Sequence, residues 1–418
     1  MSNKKILCII SKASSSLDFV IPLIDYCRNN NKEEWHMLFW GEKENIIKGG
    51  SFYLDYFDEH KINYSFINDD FRDYSEQKGL LSLLKYQFLQ LNLFKKIKAR
   101  LNIHSDNNDL VDFLFKRYKS DVVFFDHRGV KEHFGLPLFK DKLITSKTKT
   151  ILFPHAPHHT GTEAFCPFSE QERLPENCDY WMPFIYDQYW KTIPEKKEQF
   201  HYSGYPGLDS TWINKWDKPT NPKDKKKLVL IIRKVFNESI TENPKGHDNF
   251  AFFYNEFKQH LKEVREAIDE VNPSWELHIK PHPANNRKML QKIINETCLK
   301  NTYLNDDCIY NQLKKFDIFL AFYTTTILIP LLAKRPSVII DSRIQKEINK
   351  WESMRSLYED IQTFASDKDQ LIAHLKEINA GFNDEPQLNK ILDLNMDHVR
   401  KFYPDNASET SQKLIWES

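Results

Sequence analysis

Glycine is scarce in this chain. There are 11 in 418 residues, well under half the roughly 7% of an average protein. They stand at positions 41, 49, 50, 79, 129, 135, 161, 204, 207, 246 and 381. No spacing among them forms G-x-G-x-x-G or G-x-x-x-x-G-K-[ST], which excludes both common glycine-built phosphate loops. A nucleotide must have its phosphates held by other means. An excess of charge is also missing, with 59 Lys+Arg against 59 Asp+Glu. General nucleic-acid binding needs a basic footprint, so no nucleic-acid partner is expected. The six cysteines (Cys8, Cys27, Cys166, Cys178, Cys298 and Cys308) form neither C-x-x-C nor a zinc spacing, which fits reduced thiols in a reducing compartment. Long apolar runs are lacking too. The first ten residues carry too short an apolar stretch for a signal peptide. The run from Ile318 to Ala333 is broken by Thr324–Thr326 and Pro330, which argues against a spanning helix. A cytoplasmic protein is the expectation.

What is present describes a folded chain: 40% apolar, 14% aromatic and 28% charged residues, outside the disordered range. At roughly 150 residues per domain the length predicts two or three domains. Strand-like runs alternate with helical ones, the pattern of parallel sheets with crossover helices. In the first half Lys5–Ile10, Trp35–Trp40, Tyr64–Ile67, Val122–Phe125 and Thr150–Pro154 read as strands, with helices at Leu17–Arg28 and Leu80–Leu101. Asp179–Ile185 and Phe200–Ser203 read as shorter strands. A polar Pro- and Lys-rich stretch over 218–227 reads as a linker. The second half then predicts strands at Leu228–Ile232, Glu276–Lys280, near Tyr303, Ile318–Phe322 and Ser337–Ile340. Its helices are predicted at 248–270, 286–297, 309–315 and from Thr326 to Lys334, with mostly helix after Asp341.

Two stretches of the second half carry chemistry. Glu276-Leu-His-Ile-Lys-Pro-His-Pro283 is a strand ending in Lys280 and His282, with two prolines stiffening the exit. Ligands of open α/β sheets bind at the C-terminal strand ends, so Lys280, His282 and Pro283 are candidates to meet anionic oxygens. One strand later, Thr324, Thr325 and Thr326 open a helix and offer hydroxyls and backbone N–H groups at its positive end. That makes an anion site without glycine, although capping alone would need only one threonine. Arg233 and Lys234, following strand Leu228–Ile232, are further donor-phosphate candidates; a solvated strand exit accounts for them equally well.

The order of these features carries a family resemblance. K-x-H-P, Asp317 opening a strand, the threonine cluster and a helix ending Lys334-Arg-Pro-Ser-Val-Ile339 resemble the C-terminal lobe of GT-B glycosyltransferases. The likeness is to the bacterial surface-polysaccharide branch: Kdo transferases, polysialyltransferase-like capsule enzymes and CDP-glycerol polyol-phosphate transferases. Ser203-Gly-Tyr-Pro-Gly-Leu-Asp209 is similar to the G-x-P-x-x-D crossover of GT-B and UDP-GlcNAc 2-epimerase-like proteins. Phe402-Tyr-Pro-Asp-Asn-Ala-Ser-Glu-Thr410 is similar to their closing Y-x-D-G-x-A-S-E segment, with Asn406 in place of glycine. The resemblance covers roughly residues 200–415 and reaches the N-terminal lobe only in outline.

The resemblance implies an α/β fold of GT-B type: two Rossmann-like lobes facing a cleft, with a C-terminal helix packing back on the first lobe. The expected domains are an acceptor-side domain over 1–210, a nucleotide-sugar donor domain over 211–395 and a returning helix over 396–418. It implies a donor phosphate bound by His282 and Thr324–Thr326, and a CMP-activated acidic sugar, Kdo or a sialic-acid-like nonulosonate, transferred to a capsule or lipopolysaccharide acceptor. A CDP-glycerol or CDP-ribitol polyol-phosphate transferase and a nucleotide-sugar epimerase are the alternatives, followed by a non-catalytic glycan- or nucleotide-binding protein. The expected partners are therefore a CMP-sugar or CDP-polyol donor and a glycan or glycolipid acceptor.

Two strand tips of the first half supply acceptor-side candidates. Phe124-Phe-Asp-His-Arg128 ends a strand in an acid, a base and a cation. Residues 151–163 end another with His155, His158, His159 and Glu163. A histidine there suits a general base; Asp126, His155, His158, His159 and Glu163 are the candidates, and choosing among them stays open. This stretch is loosely similar to the strand-end histidine and glycine of polyol-phosphate transferases, with Ala156 where glycine is usual. Three histidines and a glutamate also match zinc donor types, but nothing fixes a tetrahedral set. The only D-x-D, Asp367-Lys-Asp369, reads as a helix N-cap. No metal and no cofactor are expected. Ser14–Ser16 precede the first predicted helix as cap or ligand-facing loop. Residues 80–101 are strongly apolar and end in four cations within six residues. They read as a lobe-packing helix, with a peripheral contact at the inner face of the cytoplasmic membrane as the alternative.

Overall fold

The structure is a computed structural model. It describes residues 4–10, 13–28, 33–39, 52–67, 69–70, 72–73, 107–126, 148–154, 157, 177–183, 199–217, 226–237, 252–322, 324–340, 357–358 and 360–417. The chain divides into two compact units. The first is built from Ser51–Pro206, the segment before it and Ser408–Ser418, and the second from Gly207–Ala407.

The first unit runs β1 (Lys4–Ile10), α1 (Ala13–Arg28), β2 (Glu33–Phe39), α2 (Phe52–His60), β3 (Asn63–Phe66), α3 (Asn107–Tyr118), β4 (Val122–Asp126), β5 (Lys149–Phe153), β6 (Cys178–Met182) and β7 (Phe200–Tyr202). Its seven strands lie in the order β3-β2-β1-β4-β5-β6-β7, all parallel. Parallel strands are covered on both faces, and so they read as continuous apolar runs. Ile6 to Ile10 and Val122 to Phe125 are accordingly buried along their whole length. Two differences from the sequence reading concern helices. The α2 helix lies where none was predicted. The α1 helix begins at Ala13, so Ser14–Ser16 lie within its first turn and not in a loop before it. Serine suits a first turn, where the N–H groups have no intrahelical partner.

The second unit runs α4 (Ser210–Ile213), β8 (Lys227–Ile231), β9 (Val235–Phe236), β10 (Phe252–Phe253), α5 (Tyr254–Val271), β11 (Glu276–Lys280), α6 (Arg287–Thr297), β12 (Thr302–Leu304), α7 (Ile309–Leu313), β13 (Ile318–Phe322), α8 (Leu328–Leu332), β14 (Ser337–Ile340), β15 (Phe364–Ala365), α9 (Lys368–Gly381) and α10 (Glu385–Phe402). Its main sheet has the order β12-β11-β8-β13-β14-β15, again all parallel. Both sheets therefore wind outward in two directions from their first strand, the Rossmann arrangement. The switch point falls between β1 and β4 in one sheet and between β8 and β13 in the other.

Packing follows the sequence pattern. In α5, Phe257, Leu261, Val264 and Ile268 recur at helical spacing and are buried against Leu230, Ile279 and Leu320 of the sheet's core. Each such side chain contributes about 1.5–3 kcal/mol by leaving water. Arg265 is also buried on this helix. It is held by the Trp275 carbonyl at 2.9 Å and Asp269 Oδ1 at 2.6 Å.

The last helix, α11 (Ala407–Glu417), joins the first unit. Lys4 Nζ donates to the Ile415 carbonyl at 2.7 Å, and Trp416 Nε1 donates to Glu33 Oε1 at 2.5 Å. Ser411 Oγ donates to the Ser203 carbonyl at 3.3 Å. No helix among the described residues is long and apolar enough to cross a membrane; residues 80–101 lie outside those described.

Candidate functional site

The second sheet sets its site by register. Lys280 pairs with Ile231, and Ile231 with Ala321, so β11, β8 and β13 end level with one another. At about 4.8 Å between neighbouring strands, the three exits fall within about 10 Å. Those exits carry Lys280 and His282, then Arg233 and Lys234, then Thr324–Thr326. Every donor-side residue singled out in the sequence thus sits on one sheet edge, spanning the switch point where α/β sheets open their ligand crevice.

The loop after β11 is the most elaborately built part of this edge. The Ala284 N–H donates to His282 Nδ1 at 3.1 Å. An Nδ1 that accepts carries no proton, so the neutral ring has its proton on Nε2. The imidazole is exposed. Asn285, which is buried, bridges to the neighbouring exit: Nδ2 donates to the Arg233 carbonyl at 2.9 Å and Oδ1 accepts from Val235 N–H at 2.8 Å. Arg287 closes the loop from below. Its Nη1 donates to the carbonyls of His282 (2.9 Å), Pro283 (3.2 Å) and Asn285 (2.7 Å). Its Nε donates to Asp306 Oδ1 at 2.8 Å. Asn286 then caps α6 by accepting from Met289 N–H at 3.2 Å.

Lys280 is half-buried, and its Nζ donates to the Asp307 carbonyl at 2.9 Å. The ammonium thus ties the strand tip to the loop after β12. Arg233 lends its carbonyl to Asn285, and its positive charge acts on the buried Tyr358 phenol. Burial raises the pKa of that phenol, and Arg233 pulls it partly back. Lys234 Nζ lies 4.6 Å from the Phe236 ring centroid.

The threonine cluster differs from the predicted helix over 326–334. Thr325–Ile327 form a 3-10 turn, and the α-helix covers only Leu328–Leu332. Three consecutive β-branched threonines and Pro330 disfavour a longer regular helix. Thr324 occupies the N-cap with extended backbone, yet its side chain makes no capping hydrogen bond. Thr325 is buried, while Thr324 and Thr326 are half-exposed. The Thr324 hydroxyl is therefore not committed to the turn it opens.

Asp367 caps α9 by accepting from Gln370 N–H at 2.9 Å. The D-x-D is a helix start, as its sequence reads. A cavity of about 50 Å³ lies beside it, lined by Phe252, His260, Glu263, Phe322 and Lys368 among others. It is far smaller than the roughly 300–1,000 Å³ of small-molecule sites. Its polar groups are engaged: His260 with Glu263 at 3.3 Å and Lys368 with Glu266 at 2.7 Å. The strand exits are thus the stronger candidate.

On the first unit, Asp126 is the last residue of β4, level with Phe153 of β5. His155, His158, His159 and Glu163 lie outside the described residues. Among the described residues no group of three or more His, Cys, Asp or Glu could hold a metal ion.

Sequence reasoning missed Asn285 and Arg287. Their partners at 233, 235 and 306 are remote in sequence or are main-chain atoms. The only available trace was a polar Asn-Asn-Arg run closing a proline-rich strand exit.

Two parallel Rossmann-type sheets with a last helix returned to the first define a GT-B-like fold. Solved structures share it. A glycosyltransferase from Rickettsia africae matches at TM-score 0.53 and 12% identity, covering 100% of this chain and 98% of its own. A UDP-GlcNAc 2-epimerase from Methanocaldococcus jannaschii matches at TM-score 0.51 and 13% identity, covering 99% and 100%. The wall teichoic acid polymerase TagF, soaked with CDPG, matches at TM-score 0.52 and 12% identity, covering 99% and 88%. At such identity the likeness establishes the fold. Neither a protein-family model nor a curated protein matches the sequence.

Proposed function

We propose that this chain is a metal-independent enzyme using a nucleotide-activated donor, whose phosphate binds at the strand exits of the second unit. One observation carries the reading. Three consecutive exits of one parallel sheet bring the His282 imidazole, the Arg233 and Lys234 cations and the Thr324–Thr326 hydroxyls to the switch point. Glycosyl transfer is the reaction we infer, and a CMP-activated acidic sugar, Kdo or a nonulosonate, is the donor that the K-x-H-P and threonine motifs favour. The acceptor is a capsule or lipopolysaccharide glycan. In this reading the enzyme is cytoplasmic, with peripheral contact at the inner face of the cytoplasmic membrane as the alternative.

The step balances simply. An acceptor hydroxyl oxygen bonds to the anomeric carbon, the bond from that carbon to the phosphate oxygen breaks, and the electron pair leaves with the nucleotide. His282 and the neighbouring cations and hydroxyls stabilise the charge that grows on the phosphate. The acceptor proton passes to a general base, for which Asp126, His155, His158, His159 and Glu163 are the candidates.

A second reading, transfer of a polyol phosphate from a CDP-linked donor, is favoured by the likeness to TagF over nearly the whole chain. A third, epimerisation of a UDP-sugar, is favoured by the likeness to the epimerase. Product analysis separates them. Incubation with CMP-, CDP- and UDP-linked donors and a glycan acceptor is expected to give CMP and a new glycosidic bond. A phosphodiester product favours the second reading, and an epimerised UDP-sugar the third.

A further inference from the structure

We infer that Arg287 is a positioning residue that holds His282 in its Nε2–H form, a ring set to donate a hydrogen bond and not to accept one. The inference deepens the donor-site reading above and rests on it for its ligand. The geometry is specific. His282 Nδ1 is occupied by the Ala284 N–H at 3.1 Å, so any further hydrogen bond from the neutral ring leaves through Nε2. That contact exists only while residues 282–285 stay coiled. The coil has one internal backbone bond, from Asn285 N–H to the His282 carbonyl at 2.9 Å. Arg287 supplies the rest. Three carbonyls of the coil, those of His282, Pro283 and Asn285, converge on its single Nη1. The other side of the guanidinium is anchored on Asp306, with Nη2 at 2.7 Å and Nε at 2.8 Å.

Lysine cannot reproduce this arrangement, because an ammonium lacks the planar fork that meets a carboxylate on one side and carbonyls on the other. Asn285 extends the control sideways. By holding the Arg233 carbonyl and the Val235 N–H it fixes the spacing between the His282 loop and the Arg233–Lys234 exit. A donor-form imidazole suits a phosphate oxygen, which only accepts. It also means that the neutral ring, as held here, has no open nitrogen lone pair with which to take a proton from an acceptor hydroxyl. The chemical consequence is a division of labour: His282 binds the leaving group, and the base lies elsewhere.

The test is the histidine tautomer in the full chain, read by nitrogen-15 correlation spectra with His282→Gln assigning the peak, alongside CDP titration. The wild type is expected to show His282 as Nε2–H. Arg287→Ala should give a mixture of tautomers and bind CDP about tenfold more weakly, the scale of one charge-assisted hydrogen bond. Arg287→Lys, the milder change, should fall between and carries the test if the alanine variant does not fold. An Arg287→Ala protein with an unchanged His282 tautomer overturns the inference. A wild type showing Nδ1–H overturns it as well. If the tautomer responds to Arg287 but no variant, wild type included, binds CDP, CMP or UDP, the positioning role stands and the donor-site reading fails.

Discussion

Asp209 and Ala407, 198 residues apart, are joined by a hydrogen bond from the Ala407 N–H to Asp209 Oδ1 at 2.9 Å. Beside it Ser210 binds Asp405 through its N–H at 2.6 Å, and Arg400 Nη1 donates to the Leu208 carbonyl at 2.8 Å. The segment that enters the second unit is thereby bound to the segment that leaves it. Both motifs, the G-x-P-x-x-D and the closing Y-P-D-N-A-S-E, are explained by this pairing, because each supplies a carboxylate for the other's backbone.

Asp209→Ala is expected to destabilise the protein by about 2–3 kcal/mol, since it strands a buried N–H and removes a charged acceptor. It also takes one acid from Arg400, whose charged form burial disfavours and Asp405 and Asp209 restore. Asp209→Asn keeps an acceptor oxygen and should cost under about 1 kcal/mol. Urea unfolding of the two variants checks the difference.

Thr324 and Asp367 make a matched pair. Asp367→Ala should cost about 1 kcal/mol, the usual value of a helix cap, and leave nucleotide affinity unchanged. Thr324→Ala removes no capping bond, so its stability should move by less than about 0.5 kcal/mol while nucleotide affinity falls. Thermal melts and nucleotide titration on both variants read the two effects separately.

Arg265→Ala should be among the more damaging changes in the second unit, at about 3 kcal/mol. It removes a packed side chain and leaves the Trp275 carbonyl without this donor. Arg265→Met keeps most of the packing and should lose less. Chemical denaturation of the pair is the measurement.

The first unit should weaken in acid through His36. Its ring hydrogen-bonds Ser65 Oγ at 3.0 Å and packs on Tyr118 at 4.4 Å. Burial lowers its pKa from the usual 6.5 to about 4, with Arg117 adding to the effect. A folded pKa below the unfolded one means that the unfolded chain takes up the proton first. The stabilisation is complete above pH 6.5 and is lost as pH falls towards 4, by roughly 2–3 kcal/mol after allowance for partial exposure. Asp70, whose carboxyl burial holds above its ordinary range, works in the opposite sense, and its contribution is lost as pH rises. The His36→Gln variant isolates the histidine: its stability curve should be flatter than that of the wild type between pH 6.5 and 4.

The central strands were legible from their apolar patterning, unbroken in Ile318–Phe322 and alternating in Glu276–Lys280. Glu276–Lys280, Ile318–Phe322 and Ser337–Ile340 have the predicted bounds. The two-residue β15 was illegible, since Phe364-Ala365 makes no run, and the predicted helix from 248 proved to open with β10 at Phe252–Phe253. The strand exits could be found because Lys, His and Thr stand out beside prolines. What organises them could not, because Asn285 and Arg287 act on main-chain atoms that no side-chain pattern reveals.

The central claim, that the second unit's strand exits hold a nucleotide phosphate, is tested most directly by calorimetric titration of CMP, CDP and UDP into the wild type and His282→Ala. The account predicts binding of a cytidine nucleotide that weakens about tenfold in the variant. Nucleotides that bind equally well to both proteins, or none that bind the wild type, would contradict it; UDP binding alone would overturn only the choice of a cytidine donor.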